Sequence, residues 1–236
     1  MFQTDVSYRY KGESSVMYLA FPEFSIPNIK KYLGTDIKII IMLRNPVERA
    51  FAGYLHNFRY NPSENLSFEE AIENSESRYD KDKDITPDSR YLHVGEYYLQ
   101  VKAFIDAFQS SVHVIFYDDY VSDINLCLED VFCFLGIENI PVDTSKRHMQ
   151  GGWIFKNKFW RNLLIPKNNF KSLIKSIFPN KIMRQALKQR IMNITTVKTP
   201  RISFVMRNKL RTYYRNDVLN LSKLLNRDLH HWIDKN

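Results

Sequence analysis

Cysteine is nearly absent: the 236 residues hold two, Cys127 and Cys133. They lie six residues apart on one predicted helix, a spacing that points them in different directions, and no neighbouring Cys or His completes a metal set. No disulfide framework or zinc site is expected. Both thiols read as reduced core residues, and the cytoplasm is the expected compartment. Long apolar runs are absent as well. The longest, Ile37 to Leu43, is broken by Lys38 and falls far short of the ~20 residues that span a bilayer. The N-terminus has no basic stretch followed by an apolar one, so no secretory signal is read and no transmembrane segment is expected. Glycine, at 7 residues, is too scarce for a fibrous or low-complexity chain, and there is no internal repeat. What remains is an ordinary folding composition, 44% hydrophobic and 14% aromatic, enough for one sizeable core.

Charge is unevenly divided. Residues 1–145 hold 13 Lys and Arg against 23 Asp and Glu, while residues 146–236 hold 21 against 3. The second part therefore presents a basic surface that suits a phosphate-bearing cofactor, an anionic glycan, an acidic lipid surface or a nucleic acid. Its cations form neither a recognition helix nor a stacking platform, which argues against nucleic acid.

The segment Ile37–Leu43 is short, β-branched and almost continuously apolar, the pattern of a buried strand. Ser25 reads as the N-cap of a short helix over 26–33. Asn45 and Pro46 open a helix directly after the strand, and Ser67 and Glu70 have capping-box spacing for another. Residues 74–90 are charged and read as a mobile loop. A helix is predicted over 96–108, a strand over 112–116, and a helix over 124–135 ending at Gly136. From Trp153 onward the signals are helical, over 153–165, 170–177, 182–192 and 201–225. This order predicts an α/β core over 1–145 with a mainly parallel sheet, continued by a basic helical part of the same domain over 146–236.

The strongest local signal is Leu43-Arg44-Asn45-Pro46-Val47-Glu48-Arg49-Ala50-Phe51-Ala52-Gly53-Tyr54. In open α/β sheets, ligands bind beyond the carboxyl ends of the strands. A helix N-terminus there offers N–H donors and a partial positive charge to a phosphate, and Arg44 adds a planar, permanently charged donor. Arg49, five residues on, is too far round the helix to share that target with certainty. The alternative is an Arg at a strand end and a second Arg in a helix salt bridge.

This stretch resembles the sulfotransferase family in its bacterial and carbohydrate-acting branch. The family's Arg-Asn-Pro-x-x-Arg-Ala-Tyr-Ser-x-Tyr is matched at Arg44, Asn45, Pro46, Arg49, Ala50 and Tyr54. Gly12-Glu13-Ser14-Ser15, Gly95-x-Tyr97, Tyr117-Asp118-Asp119, Phe134-Leu135-Gly136-Ile137 and the series Leu210, Tyr214, Asp217, Leu221, Trp232 resemble further landmarks, so the likeness covers nearly the whole chain. It implies a P-loop-like α/β fold with a helical C-terminal lobe. It also implies transfer of a sulfuryl group from 3′-phosphoadenosine-5′-phosphosulfate (PAPS) to a hydroxyl or amine of a small-molecule or glycan acceptor. Arg44 would hold the 3′-phosphate, and the basic loop at Ser145-Lys146-Arg147-His148 would close over the cofactor, with Arg147 as its donor.

Three departures stand out. Ala52 occupies the place of the family's phosphate-binding serine, and Ser14 that of a lysine. No Lys-x-Gly-Thr-Thr loop is present, so the chain reads as N-terminally truncated, with little transfer activity alone and a sheet edge open to self-association. No catalytic base is assigned: His56, His113, His230 and His231 read as structural, while His93, His148 and Glu13 are the remaining candidates. The competing function is a non-catalytic sulfotransferase fold that binds nucleotide weakly or serves as an interaction module.

Overall fold

Three consecutive isoleucines favour extended backbone because branching at Cβ leaves few rotamers elsewhere. They form the start of β1 (Ile39–Leu43) in the computed structural model, which describes residues 11–61, 63–81, 86–145, 151–164 and 181–234. β1 pairs in parallel with β2 (Val112–Phe116), Ile39 opposite Val112 and Leu43 opposite Phe116. Alternation along the two strands sets the layers. Ile41, Leu43 and Phe116 are buried, whereas Ile40 and Met42 on the other face are 40% and 48% exposed. That second face is partly covered by α8 (Ile124–Leu135), whose Phe134 stacks on His113 at 4.9 Å.

The buried face carries three helices. α3 (Pro46–Tyr60) and α6 (Tyr97–Phe108) contribute Val47, Ala50, Tyr54, Val101, Phe104 and Phe108 to one core. The long helix α11 (Phe204–Leu225) adds Met206, Leu210, Tyr214, Val218 and Leu221, an apolar stripe at helical spacing. Trp232, fully buried in the turn that follows, packs on Phe116 at 5.9 Å and locks the chain's end onto the sheet.

Among the described residues the other helices are α1 (Met17–Ala20), α2 (Pro22–Leu33), α4 (Phe68–Glu73), α5 (Ser75–Lys81), α7 (Tyr117–Ser122), α9 (Lys158–Leu164) and α10 (Lys181–Thr195). The α4 capping box forms as expected, Ser67 accepting from the Glu70 N–H while Glu70 accepts from Ser67. Asn45 caps α3, and Gly136 ends α8 in the left-handed conformation at φ 69°.

Four sequence expectations are corrected. α2 begins one turn earlier than expected, at Pro22; Ser25 lies inside it and donates to the Tyr18 and Phe21 carbonyls at 2.7 and 3.0 Å. Part of the expected 74–90 loop is α5, held by Arg78 against the buried Glu64 at 3.1 Å. Trp153–Phe155 is not helical but forms β3, paired antiparallel with β4 (Thr196–Lys198). A three-residue run has no readable period, and its partner lies some forty residues away. Both cysteines are free as expected, yet Cys133 is exposed rather than core. The helix expected over 170–177 lies outside the described residues.

The short helix α9 is fastened to the core by a buried cation. Arg161 of α9, 2% exposed, donates to the Glu64 carbonyl at 2.6 Å and the Phe58 carbonyl at 3.2 Å. Burying a guanidinium is tolerated only when its donors are satisfied.

Candidate functional site

Arg44 follows the last residue of β1 and precedes the α3 cap, so the parallel pair and the helix together place it at the carboxyl end of the sheet. It is half-buried, and its guanidinium lies over the Tyr117 ring at 4.9 Å. A guanidinium over an aromatic face is attracted by the ring and keeps N–H groups available for another acceptor. Among the described residues no carboxylate or carbonyl takes those donors.

The amide end of α3 does not add to this. Pro46 has no N–H. The Asn45 side chain accepts from Val47 N at 3.0 Å and Glu48 N at 3.4 Å, and Arg49 N bonds the Asn45 carbonyl at 2.9 Å. The first-turn donors expected to meet a phosphate are engaged by the helix's own cap. Glu48, in the same turn, places a carboxylate at the positive end and pairs with Arg207 of α11.

Arg49 is turned elsewhere. It donates to the Tyr91 carbonyl at 3.1 Å, beside Gly53, on the flank of α3 that faces the 91–95 turn. The same carbonyl accepts from the Tyr214 hydroxyl at 3.2 Å, so the second motif arginine organises that turn instead of sharing a ligand with Arg44. Ala52, where the motif has serine, offers no hydroxyl.

Around Arg44 the side chains are densely bonded. Tyr97 is buried, and its hydroxyl is pushed up to about 12 by burial, opposed by the charges of Arg49 and Arg44 and by a hydrogen bond with the Arg44 backbone. Asp118 accepts from the Trp232 indole N–H at 2.7 Å and lies 3.2 Å from the His231 Nε2, while Asp119 pairs with Arg227 at 2.7 Å. Asn45 donates to the Trp232 carbonyl at 3.3 Å. The C-terminal turn is thus clamped to both strand ends.

The candidate bases are placed as follows. His93 has both ring nitrogens occupied, Nε2 at 2.8 Å from the Ala20 carbonyl and Nδ1 at 3.3 Å from Glu96, an arrangement that ties α1 to the 93–95 turn. The Glu96 hydrogen bond raises its pKa against the lowering effect of burial. Glu13 is exposed and accepts from Tyr18 at 3.1 Å. Neither points to proton transfer. Arg147 and His148 lie outside the described residues, and among the described residues no group of His, Cys, Asp and Glu could hold a metal ion.

Two features were not legible in the sequence. Tyr117 falls in the Tyr117-Asp118-Asp119 landmark with no role evident from the sequence, yet its ring lies under the Arg44 guanidinium. Asp217, on α11, accepts from Tyr97 N at 2.9 Å and Tyr98 N at 3.0 Å and so caps α6 from a distant helix. No local pattern announces a cap some 120 residues away.

The sulfotransferase domain model matches residues 22–191. The chain belongs to the sulfotransferase family. Its fold is similar to the crystal structure of a sulfotransferase from Alicyclobacillus acidocaldarius, with a TM-score of 0.64 and 26% identity over 93% of this chain. The match covers 66% of that chain, so this sulfotransferase-family sequence spans just under two thirds of its structural relative. No curated protein matches it.

Proposed function

We propose that this chain carries the 3′-phosphate grip of a sulfotransferase, with Arg44 as the donor to the nucleotide of PAPS and a hydroxyl or amine, carbohydrate-borne, as the acceptor. The observation that supports this reading is a half-buried guanidinium at the end of a parallel strand, lying over the Tyr117 ring with no acceptor among the described residues taking its N–H donors. A phosphate is the ligand that fits such a planar, charged donor set. PAPS would supply the activated sulfuryl group. The chain's own residues would bind and orient it: Arg44 neutralises phosphate charge, Tyr117 lies against the guanidinium, and Asp118 and Asn45 tie the ends of the two strands to the Trp232 turn. Arg147 belongs to the same proposal as a second donor.

A non-catalytic nucleotide binder is the second reading. It is favoured by Ala52 and by the engagement of the α3 amides with Asn45, both of which leave fewer donors for phosphate. Titration calorimetry with adenosine 3′,5′-bisphosphate, on wild type, Arg44→Lys and Arg44→Ala, tests the grip common to both. Losing charged hydrogen bonds worth about 1.5–3 kcal/mol lowers affinity by roughly one to two orders of magnitude in Arg44→Ala. Arg44→Lys should fall between, since an ammonium keeps charge and loses the fork. Wild-type affinity in folded Arg44→Ala refutes the assignment. Turnover of labelled PAPS then separates enzyme from binder.

A further inference from the structure

From Thr144 to Asn216 the sequence runs 73 residues without one acidic side chain while carrying 18 Lys and Arg. Over 197–205 exposed cations stand beside exposed hydrocarbon. Val197 on β4 is 43% exposed, and Phe204 and Val205, in the first turn of α11, are 69% and 77% exposed. Lys198 and Arg201 are exposed between them and have no acidic partner among the described residues. Pro200, Arg201, Ile202 and Phe204 line one wall of an open recess of about 380 Å³, with Glu48 and Arg207 behind. The first turn of a surface helix ordinarily carries polar or acidic residues, which suit its positive end. α11 has no acid there and turns two large apolar side chains to solvent.

We infer that the face spanning Val197 to Arg207 docks on a membrane surface rich in anionic lipid. Basic residues flanking exposed Phe and aliphatic side chains are what an interfacial contact needs: the cations meet the headgroups while the hydrocarbon enters the acyl boundary. The basic charge of the 73-residue run supplies the complementarity; the acids that reach this face from other elements are Glu48, paired with Arg207, and Glu69, which accepts from the Ser203 hydroxyl at 3.2 Å. Nucleic acid fits less well, because the face offers a single exposed ring, Phe204, while Val197 and Val205 have none on which successive bases could stack. Among the described residues no helix is long and apolar enough to cross a membrane. Arg207 closes the face and pairs with Glu48 of α3.

Co-sedimentation of the purified chain with phosphatidylcholine vesicles, with and without phosphatidylglycerol, tests this. Binding is expected only to the anionic vesicles and is expected to weaken as salt screens the charges. Phe204→Ser/Val205→Ser should reduce partition about tenfold or more, from the lost burial of apolar area. Lys198→Ala/Arg201→Ala should reduce it about 25-fold, at roughly fivefold per cation. All four side chains are exposed, so circular dichroism should show both variants folded; if either is not, the single Phe204→Ser variant carries the test. Equal binding to neutral and anionic vesicles overturns the inference, as does wild-type partition by Phe204→Ser. Binding to RNA or heparin that depends on Arg201 but not Phe204, with no vesicle binding, also overturns it.

Discussion

Asp217 is a carboxylate set where charge is poorly tolerated. It sits on the long helix and caps α6 through Tyr97 N and Tyr98 N, and burial raises its pKa from 3.8 to about 6 against the lowering effect of those two hydrogen bonds. The folded value lies above the unfolded one, so the folded state holds the proton more tightly. The stability this contributes is complete below about pH 4 and is lost as pH rises through about 6. At 1.36 kcal/mol per pH unit, the interval from 3.8 to about 6 amounts to roughly 3 kcal/mol, an upper bound because water reaches part of the group. Asp217→Asn imitates the protonated acid: it keeps a carbonyl oxygen for the helix end and carries no charge. Urea unfolding followed by tryptophan fluorescence, between pH 4 and 7.5, should show the variant matching wild type at the acid end. At pH 7 the variant should exceed wild type by up to about 3 kcal/mol. Asp217→Ala should instead lose about 1–2 kcal/mol at the acid end, because two amides lose their acceptor. Groups that titrate identically in both proteins, His93 among them, cancel in the difference. Parallel pH profiles for wild type and Asp217→Asn would refute the reasoning.

Three further outcomes follow from the geometry. A Cβ on Gly95 would lie 2.7 Å from the Tyr214 hydroxyl and 2.9 Å from its ring carbon, and Tyr214 is fully buried; Gly95→Ala should cost about 1–3 kcal/mol in denaturant melts, partly recovered by adding Tyr214→Phe. Glu64 is fully buried between Arg78 at 3.1 Å and the Tyr91 hydroxyl at 2.6 Å; Glu64→Ala strands a cation and a phenol and should cost about 3–5 kcal/mol, with Glu64→Gln costing less. Ala52→Ser returns the hydroxyl found in the family motif and should tighten adenosine 3′,5′-bisphosphate binding by about tenfold or more in calorimetry; unchanged affinity would place the nucleotide away from this part of α3.

The parallel strand pair, the helix opened by Asn45 and Pro46, the capping box at Ser67 and Glu70, and the position of Arg44 at a strand end were all readable from the chain. They are local: β-branching, cap chemistry and apolar periodicity act within a few residues, and the family motif occupies one contiguous stretch. The sequence alone could not say which donors Arg44 would stand with. That the α3 amides are engaged by Asn45, that Arg49 serves the Tyr91 carbonyl, and that Tyr117 lies against the Arg44 guanidinium depend on side chains brought together from distant elements. The β3–β4 pair, the Asp217 cap and the burial of Arg161 against Glu64 are of the same kind. Each trades a local preference for a partner far along the chain, and only packing decides which partner is within reach.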